Sequence, residues 1–196
     1  MKRIYMLVVF GLTALAMGCS SDADHGGVSC NSDIPFLQAG NVALYKYIFQ
    51  GRQRGDVRIT YGPCDGQGFL VKTEEYFEDL GGFMESTGYY FHQEGDFLLS
   101  DANDGLAGTF WREYKKNAVA GDHWEEDLGG VSKIYEVLDV NSSLTVPAGT
   151  FLCTVIKSYN GNSPENYAII HWNDEVGIVR SYTNYIDLNL DLKSFN

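Results

Sequence analysis

The clearest pattern along the chain is alternation. From 186 to 193, Ile186, Leu188, Leu190 and Leu192 interleave with Asp187, Asn189, Asp191 and Lys193. A period of two sends the two sets to opposite faces of an extended strand, one toward a core and one toward water. The same period, less strictly kept, recurs through most of the sequence. Residues 41–49 and 56–61 predict a hairpin around a polar, glycine-bounded turn at 50–55. Strands follow at 69–77 and 83–92, joined at Asp79-Leu80-Gly81-Gly82, and then at 97–99 and 109–114. A second run occupies 132–140, 144–146, 151–159, 167–172 and 177–184. Between the runs, 115–130 is the least strand-like stretch, and Gly121-Asp122-His123-Trp124 predicts a turn with a packed Trp.

Short apolar segments bounded by Gly, Pro, Asn and Asp, with no helical period between them, predict an all-β chain. The expected fold is an up-and-down antiparallel sheet of about 10–12 strands, curled into an open (half) or closed barrel. Glu-Asp-Leu-Gly-Gly occurs at 78–82 and again at 126–130, but the flanks differ, which favours reuse of one good turn over duplication.

The first residues break this pattern. Lys2 and Arg3 precede an apolar run that ends at Met17-Gly18-Cys19. The run is shorter than the roughly 20 residues a bilayer-crossing helix needs, and its basic start and small residue before the cut describe a secretory signal. Leu15-Ala16-Met17-Gly18-Cys19 resembles the lipobox of bacterial lipoproteins. That resemblance implies a signal peptide over 1–18, acyl chains on Cys19 and a membrane held through them. Two or more chains anchor stably, at roughly 0.8 kcal/mol per buried methylene. Ser20, rather than Asp, after the cysteine leans toward the outer membrane over the inner one. Residues 19–33, small and polar, are expected to be a flexible tether, and 34–196 a single β-rich domain.

Composition narrows the partners. After the signal is removed, 12 Lys and Arg face 26 Asp and Glu, a net charge of −14. No basic cluster exists for nucleic acid or for anionic head groups. Lipidation of Cys19 leaves Cys30, Cys64 and Cys153 in an oxidising compartment, so one disulfide and one free thiol are expected. Three pairings are open. Cys30–Cys64 is favoured, because the 41–61 hairpin returns Cys64 to the place where the Cys30 segment arrives. Cys153 shares strand parity with Phe151 and Val155 and is expected to be buried.

Leu144-Thr145-Val146-Pro147-Ala148-Gly149-Thr150-Phe151, followed by Glu175-Val176-Gly177-Ile178-Val179-Arg180, resembles a class of bacterial exported β-rich proteins and lipoproteins of unknown function. Ile34-Pro35-Phe36-Leu37 with Gly40-Asn41 and Tyr45-Lys46-Tyr47, and Gly121-Asp122 with Trp124, are similar to further parts of that class. The resemblance covers roughly residues 33–185 and implies a curved sheet shaped like a lipoprotein-carrier half-barrel. It implies nothing about activity.

Chemistry-bearing constellations are sparse. His25, His92, His123 and His171 are scattered, and no His-Glu-x-x-His, Gly-x-Ser-x-Gly or P-loop occurs. Asp101-Ala102-Asn103-Asp104-Gly105 is one residue short of a calcium loop before its Gly, and Arg112 stands where the closing Glu would fall. Glu74 and Glu75 alternate across a strand and cannot act as a carboxylate pair. No catalytic residue, metal site or cofactor is assigned, and an enzyme is not expected. Tyr89, Tyr90, Phe91, Trp111, Trp124 and Trp172 are the side chains a ligand pocket would use. The expected role is a non-enzymatic envelope binding module for a lipid, glycan or protein partner. The alternative is a structural or assembly component of an envelope complex.

Overall fold

The computed structural model describes residues 28–101, 109–128 and 130–196. The expected signal, Cys19 and most of the Asp101–Gly105 run therefore lie outside the described residues. The strands are β1 (Val42–Phe49), β2 (Arg52–Cys64), β3 (Phe69–Phe77), β4 (Gly82–Glu94), β5 (Phe97–Ser100) and β6 (Trp111–Lys115), then β7 (His123–Leu128), β8 (Val131–Val146), β9 (Gly149–Asn160), β10 (Ser163–Asn173), β11 (Gly177–Thr183) and β12 (Leu188–Phe195). All twelve form one antiparallel sheet, ordered β6-β5-β4-β3-β2-β1-β12-β11-β10-β9-β8-β7. The sheet curls into a nearly closed barrel. Its first and last strands are paired, with Val42 and Asn196 exchanging both backbone hydrogen bonds, at 2.7 and 3.1 Å. The open seam lies in mid-chain, between β6 and β7.

Side chains bridge that seam. Trp124 donates its indole N–H to the Arg112 carbonyl at 2.8 Å, and the Arg112 guanidinium pairs with Glu126. This is where the expected turn at Gly121–Trp124 gives way to a strand. Trp124 is the second residue of β7 and sits opposite Tyr135 of β8. His-Trp-Glu-Glu-Asp has almost no apolar alternation of its own, so it is the pairing with β8 that makes it extended.

Other boundaries shift for local reasons. The first hairpin turns on Gln50 and Gly51 alone, with φ of 50° and 68°, the left-handed pair that suits a tight two-residue connection. β2 therefore starts at Arg52, and a bulge near Gly55 takes up the extra residue. Residues 132–140 and 144–146 are one strand, β8, kept continuous through register shifts on either side of Asp139. Its terminal turn, Pro147-Ala148, folds back across the sheet, and the Ala148 N–H reaches the Leu192 carbonyl at 3.0 Å. β12 begins only at Leu188, leaving Ile186 exposed. Its polar face is not wholly wet, because Asp191 is buried against Arg180 and Lys193 reaches Asp56 at 2.7 Å.

Strand direction gives the barrel two distinct ends. The near end carries the turn at 65–68, the turn at 174–176, Pro147-Ala148 and the C-terminus. It is plugged by Ile34, Phe36 and Leu37, all buried around a 3₁₀ turn at Pro35–Leu37. Phe36 packs against Tyr61 and Trp172, with ring centroids at 5.6 and 6.1 Å. A Cβ on Gly177 (φ +79°) would lie 3.2 Å from the Phe36 ring, so this position both needs a left-handed backbone and has no space for a side chain. Tyr45 of β1 reaches across β12 to β11, donating its hydroxyl to the Ile178 carbonyl at 2.9 Å.

The expected tether at 19–33 does not hold for its described residues. Its residues from 28 on are bound to the domain. The Val28 N–H reaches the Gly66 carbonyl at 2.9 Å, Cys30 is disulfide-bonded to Cys64, and Asp33 pairs with Lys116 at 2.6 Å.

Candidate functional site: a polar groove at the far end of the barrel

Across β7–β11 the inner face changes character along the barrel axis. One transverse row, Val137–Ile156–Ile170, is apolar, with Val137 and Ile156 fully buried. The next row toward the far end runs Trp124–Tyr135–Ser158–Ala168–Thr183. Beyond it stand Lys133 and Asn160. The middle of the interior is thus packed with hydrocarbon. The far half holds an open groove of about 630 Å³ with a mixed lining: the hydroxyl and amide side chains of Ser158, Asn160, Asn166, Ser181 and Thr183, the apolar Ala168 and Ile170, and several aromatic rings, with Tyr185 at its rim.

One wall comes from β6, through a bulge. Leu99 faces Arg112 and Leu98 faces Tyr114, which leaves Glu113 as an extra residue. A bulge re-aims side chains that strict alternation would send outward, and here Trp111, Glu113 and Tyr114 are all buried. The Glu113 carboxylate lies 3.6 Å from the Lys133 ammonium across the seam. That ammonium also sits over the rings of Trp111 and Tyr135, at 4.9 and 5.0 Å from their centroids, where the ring faces attract a cation. Burial, with the Glu113 and Glu126 charges adding to it, pushes the Tyr135 phenol far above its ordinary value. The wall is therefore a fixed arrangement of one anion, one cation and two large rings, with the phenol kept neutral.

Glu113 is engaged by Lys133, and among the described residues no group of three or more His, Cys, Asp or Glu side chains converges as a metal site would require. A second, smaller groove of about 490 Å³ lies at the near end, beside Tyr114, Cys153, Trp172 and Asp174. Cys153 is a free, buried thiol, and burial pushes it up to about 11, which leaves little thiolate for chemistry near neutral pH.

The aromatic residues singled out from sequence separate into distinct roles. Trp111 lines the far groove. Trp172 is buried, stacked between Phe36 and Tyr114 (5.1 Å), and forms a wall of the smaller groove. Trp124 stacks on Tyr135 at 5.1 Å and closes the seam. Tyr89 and Phe91 meet edge to face at 5.3 Å in β4 and line neither groove. The Tyr90 hydroxyl reaches only Asp65, at 3.4 Å. Strand reading missed Glu113, because the bulge that turns it inward has no sequence signature. It also missed Lys133, Asn160, Asn166 and Tyr185, which look like ordinary surface polarity until the sheet curls.

No protein-family model matches the chain, and no curated protein matches it. A solved structure from Bacteroides fragilis, of a protein classed as exported and with a YmcC-like fold, aligns with 87% of this chain and 99% of its own, at a TM-score of 0.53 and 16% identity. At that identity the likeness is one of fold alone, and it places the chain among all-β proteins built from a single nearly closed, barrel-shaped antiparallel sheet.

Proposed function

We propose that the protein is a lipid-anchored, non-enzymatic binding module of the bacterial cell envelope, holding a glycan in the far-end groove. The observation that carries this reading is the lining of that groove. Its volume, about 630 Å³, falls in the range of small-molecule sites, which use a few placed polar groups for orientation. Asn160 and Asn166 offer amide donors and acceptors together, and Ser158, Ser181 and Thr183 offer hydroxyls that serve as either. Tyr185, 63% exposed at the rim, presents a ring face on which a sugar can stack. An acyl chain would need a continuous apolar lining, and here hydroxyl, amide and charged side chains interrupt it.

The anchor fits the same picture. Cys19 precedes Val28 by so few residues that full extension spans only about 30 Å. Val28 is attached at the near end, through Gly66. The groove opens at the opposite end, away from the tether. The binding test is titration of the protein with soluble peptidoglycan fragments and neutral oligosaccharides, followed by amide NMR. The expected result is shifts at Asn160, Asn166 and Thr183 that weaken in Tyr185→Ala. Binding of a fatty acid in the groove, with no response to any sugar, would refute the glycan reading. The anchor is tested separately, since Cys19→Ser should release the protein from the membrane fraction.

A further inference from the structure

The smaller groove, of about 490 Å³, lies at the near end between two banks. One bank is the β10–β11 turn, which Asn173 holds in shape. Its side-chain amide donates to the Leu152 carbonyl at 3.0 Å, and its side-chain oxygen accepts from the Glu175 and Val176 N–H groups at 3.0 and 3.3 Å. This clamp fixes the backbone that carries Asp174 and Glu175, both exposed and both on the lining. The facing bank includes Ala118 of the β6–β7 loop and Val140 of β8. The lining holds no Lys or Arg. Lys115 and Lys116, which lead into that loop, are taken by Asp122 at 2.7 Å and Asp33 at 2.6 Å. Asp174 acts on the Lys116 charge, but the Lys116 hydrogen bond goes to Asp33. The Asp174 carboxylate accepts the Tyr114 hydroxyl, and no ion pair reaches the Glu175 carboxylate among the described residues.

A second observation asks for an acceptor. Trp172 is 2% exposed, and Phe36 and Tyr114 cover both faces of its ring, so the groove meets the ring at its edge. The indole N–H lies in that edge, is buried, and has no acceptor among the described residues. A buried donor left without a partner is unfavourable until something accepts it. One ligand can answer both demands, with a cation for Asp174 and Glu175 and a neutral oxygen beside it for the indole. Ala118, Val140 and Leu152 leave room on the lining for a small apolar substituent. Charge excludes nearer occupants. Residues 20–27 of this chain carry Asp22 and Asp24 and no Lys or Arg, and a second copy is acidic throughout. No third His, Cys, Asp or Glu joins the two carboxylates to hold a metal ion among the described residues. We propose that the near-end groove binds a primary ammonium group beside a neutral carbonyl or hydroxyl oxygen, as the N-terminal residue of a peptide or an amino sugar carries. This site is separate from the far groove and does not depend on the glycan reading.

The test uses the full-length protein in a neutral detergent, titrated at pH 6.5 and low salt with leucylglycinamide and with glucosamine, each beside its N-acetylated form. The readout is the indole N–H signals of the three Trp residues. A saturable shift of the Trp172 indole, with Trp111 unmoved, is expected, and the amine that produces it identifies the source of the group. N-acetylation, which removes the cation and keeps the acceptor, should weaken binding by at least about tenfold. Glu175→Gln changes an exposed side chain, leaves the Tyr114–Asp174 contact in place, and should weaken it by about threefold. High salt should weaken it as well. Unmoved Trp111 and Trp124 signals in the unliganded variant show that the fold is intact. Equal binding of the acetylated forms, unchanged binding in Glu175→Gln, the same shift produced by calcium chloride alone, or no Trp172 shift with either amine would each overturn the proposal.

Discussion

Replacing Phe36 by Ala should remove a large share of the domain's stability, and the structure sets the size of the loss. The ring is fully buried, and its neighbours cannot close over the space it leaves. Trp172 is held on its other face by Tyr114, Tyr61 is itself buried in the wall, and the backbone of Gly177 stands close beside the ring. Phe→Ala in a core costs about 3–5 kcal/mol, toward the upper end where the site cannot collapse. A loss of about 4 kcal/mol is expected here, against the 5–15 kcal/mol typical of a whole domain. Urea unfolding followed by Trp fluorescence should show a lower midpoint at unchanged slope, a shift of about 2 M for a slope near 2 kcal/mol/M. Leu152→Ala, at a side chain 59% exposed, is the control and should stay within about 0.5 kcal/mol. A loss under about 1 kcal/mol for Phe36→Ala would mean that the segment rests on the barrel rather than plugging it.

Replacing Cys30 and Cys64 together by Ser should cost about 4 kcal/mol on the chain-entropy argument for a loop closed over a separation of 34 residues. A midpoint unchanged by the double substitution, or by reductant, would refute that estimate. Alkaline pH should unfold the protein with a definite sign. Burial raises the phenols of Tyr45, Tyr61, Tyr89 and Tyr135 and lifts the Cys153 thiol from 9 to about 11. The folded state then keeps protons that the unfolded chain gives up, so stability is intact below about pH 9 and falls as pH rises past it. Absorbance of these tyrosinates should appear together with loss of near-UV dichroism, and Cys153 should resist thiol reagents at pH 9 until that transition. Ionisation of the four phenols in a fully folded protein would contradict the burial described above.

What the sequence made legible was whatever depends on alternation and punctuation. Leu188–Lys193, the Gly81-Gly82 turn and the parity of Cys153 each follow from a period of two or from residues that stop a strand. Curvature was less accessible. Nothing local distinguishes Asn160 or Asn166, which face a groove, from Asn162 in a turn, because only the closing of the sheet separates inside from outside. The same limit applies to Glu113, whose inward aim comes from one unpaired residue in a ladder. Trp124 failed as a turn residue because His123–Leu128 borrows its conformation from β8. Trp172 is a large aromatic whose role could not be separated from ligand contact until Phe36 and Tyr114 were seen stacked against it.

Pairing β1 with β12 has a consequence in time. These strands are neighbours in space, yet they are separated by nearly the whole described chain. Such distant contacts must overcome loop-closure entropy before they contribute, and folding dominated by them is slow. As the chain is made, β1–β6 emerges as a meander with one side of β1 unmatched, and no amount of waiting supplies the partner until Leu188–Phe195 arrives. The barrel cannot close while its C-terminus is still being synthesised or threaded. For a chain exported as proposed, this late keystone would keep the polypeptide loose enough to cross a membrane and let the fold lock only once the last strand is through.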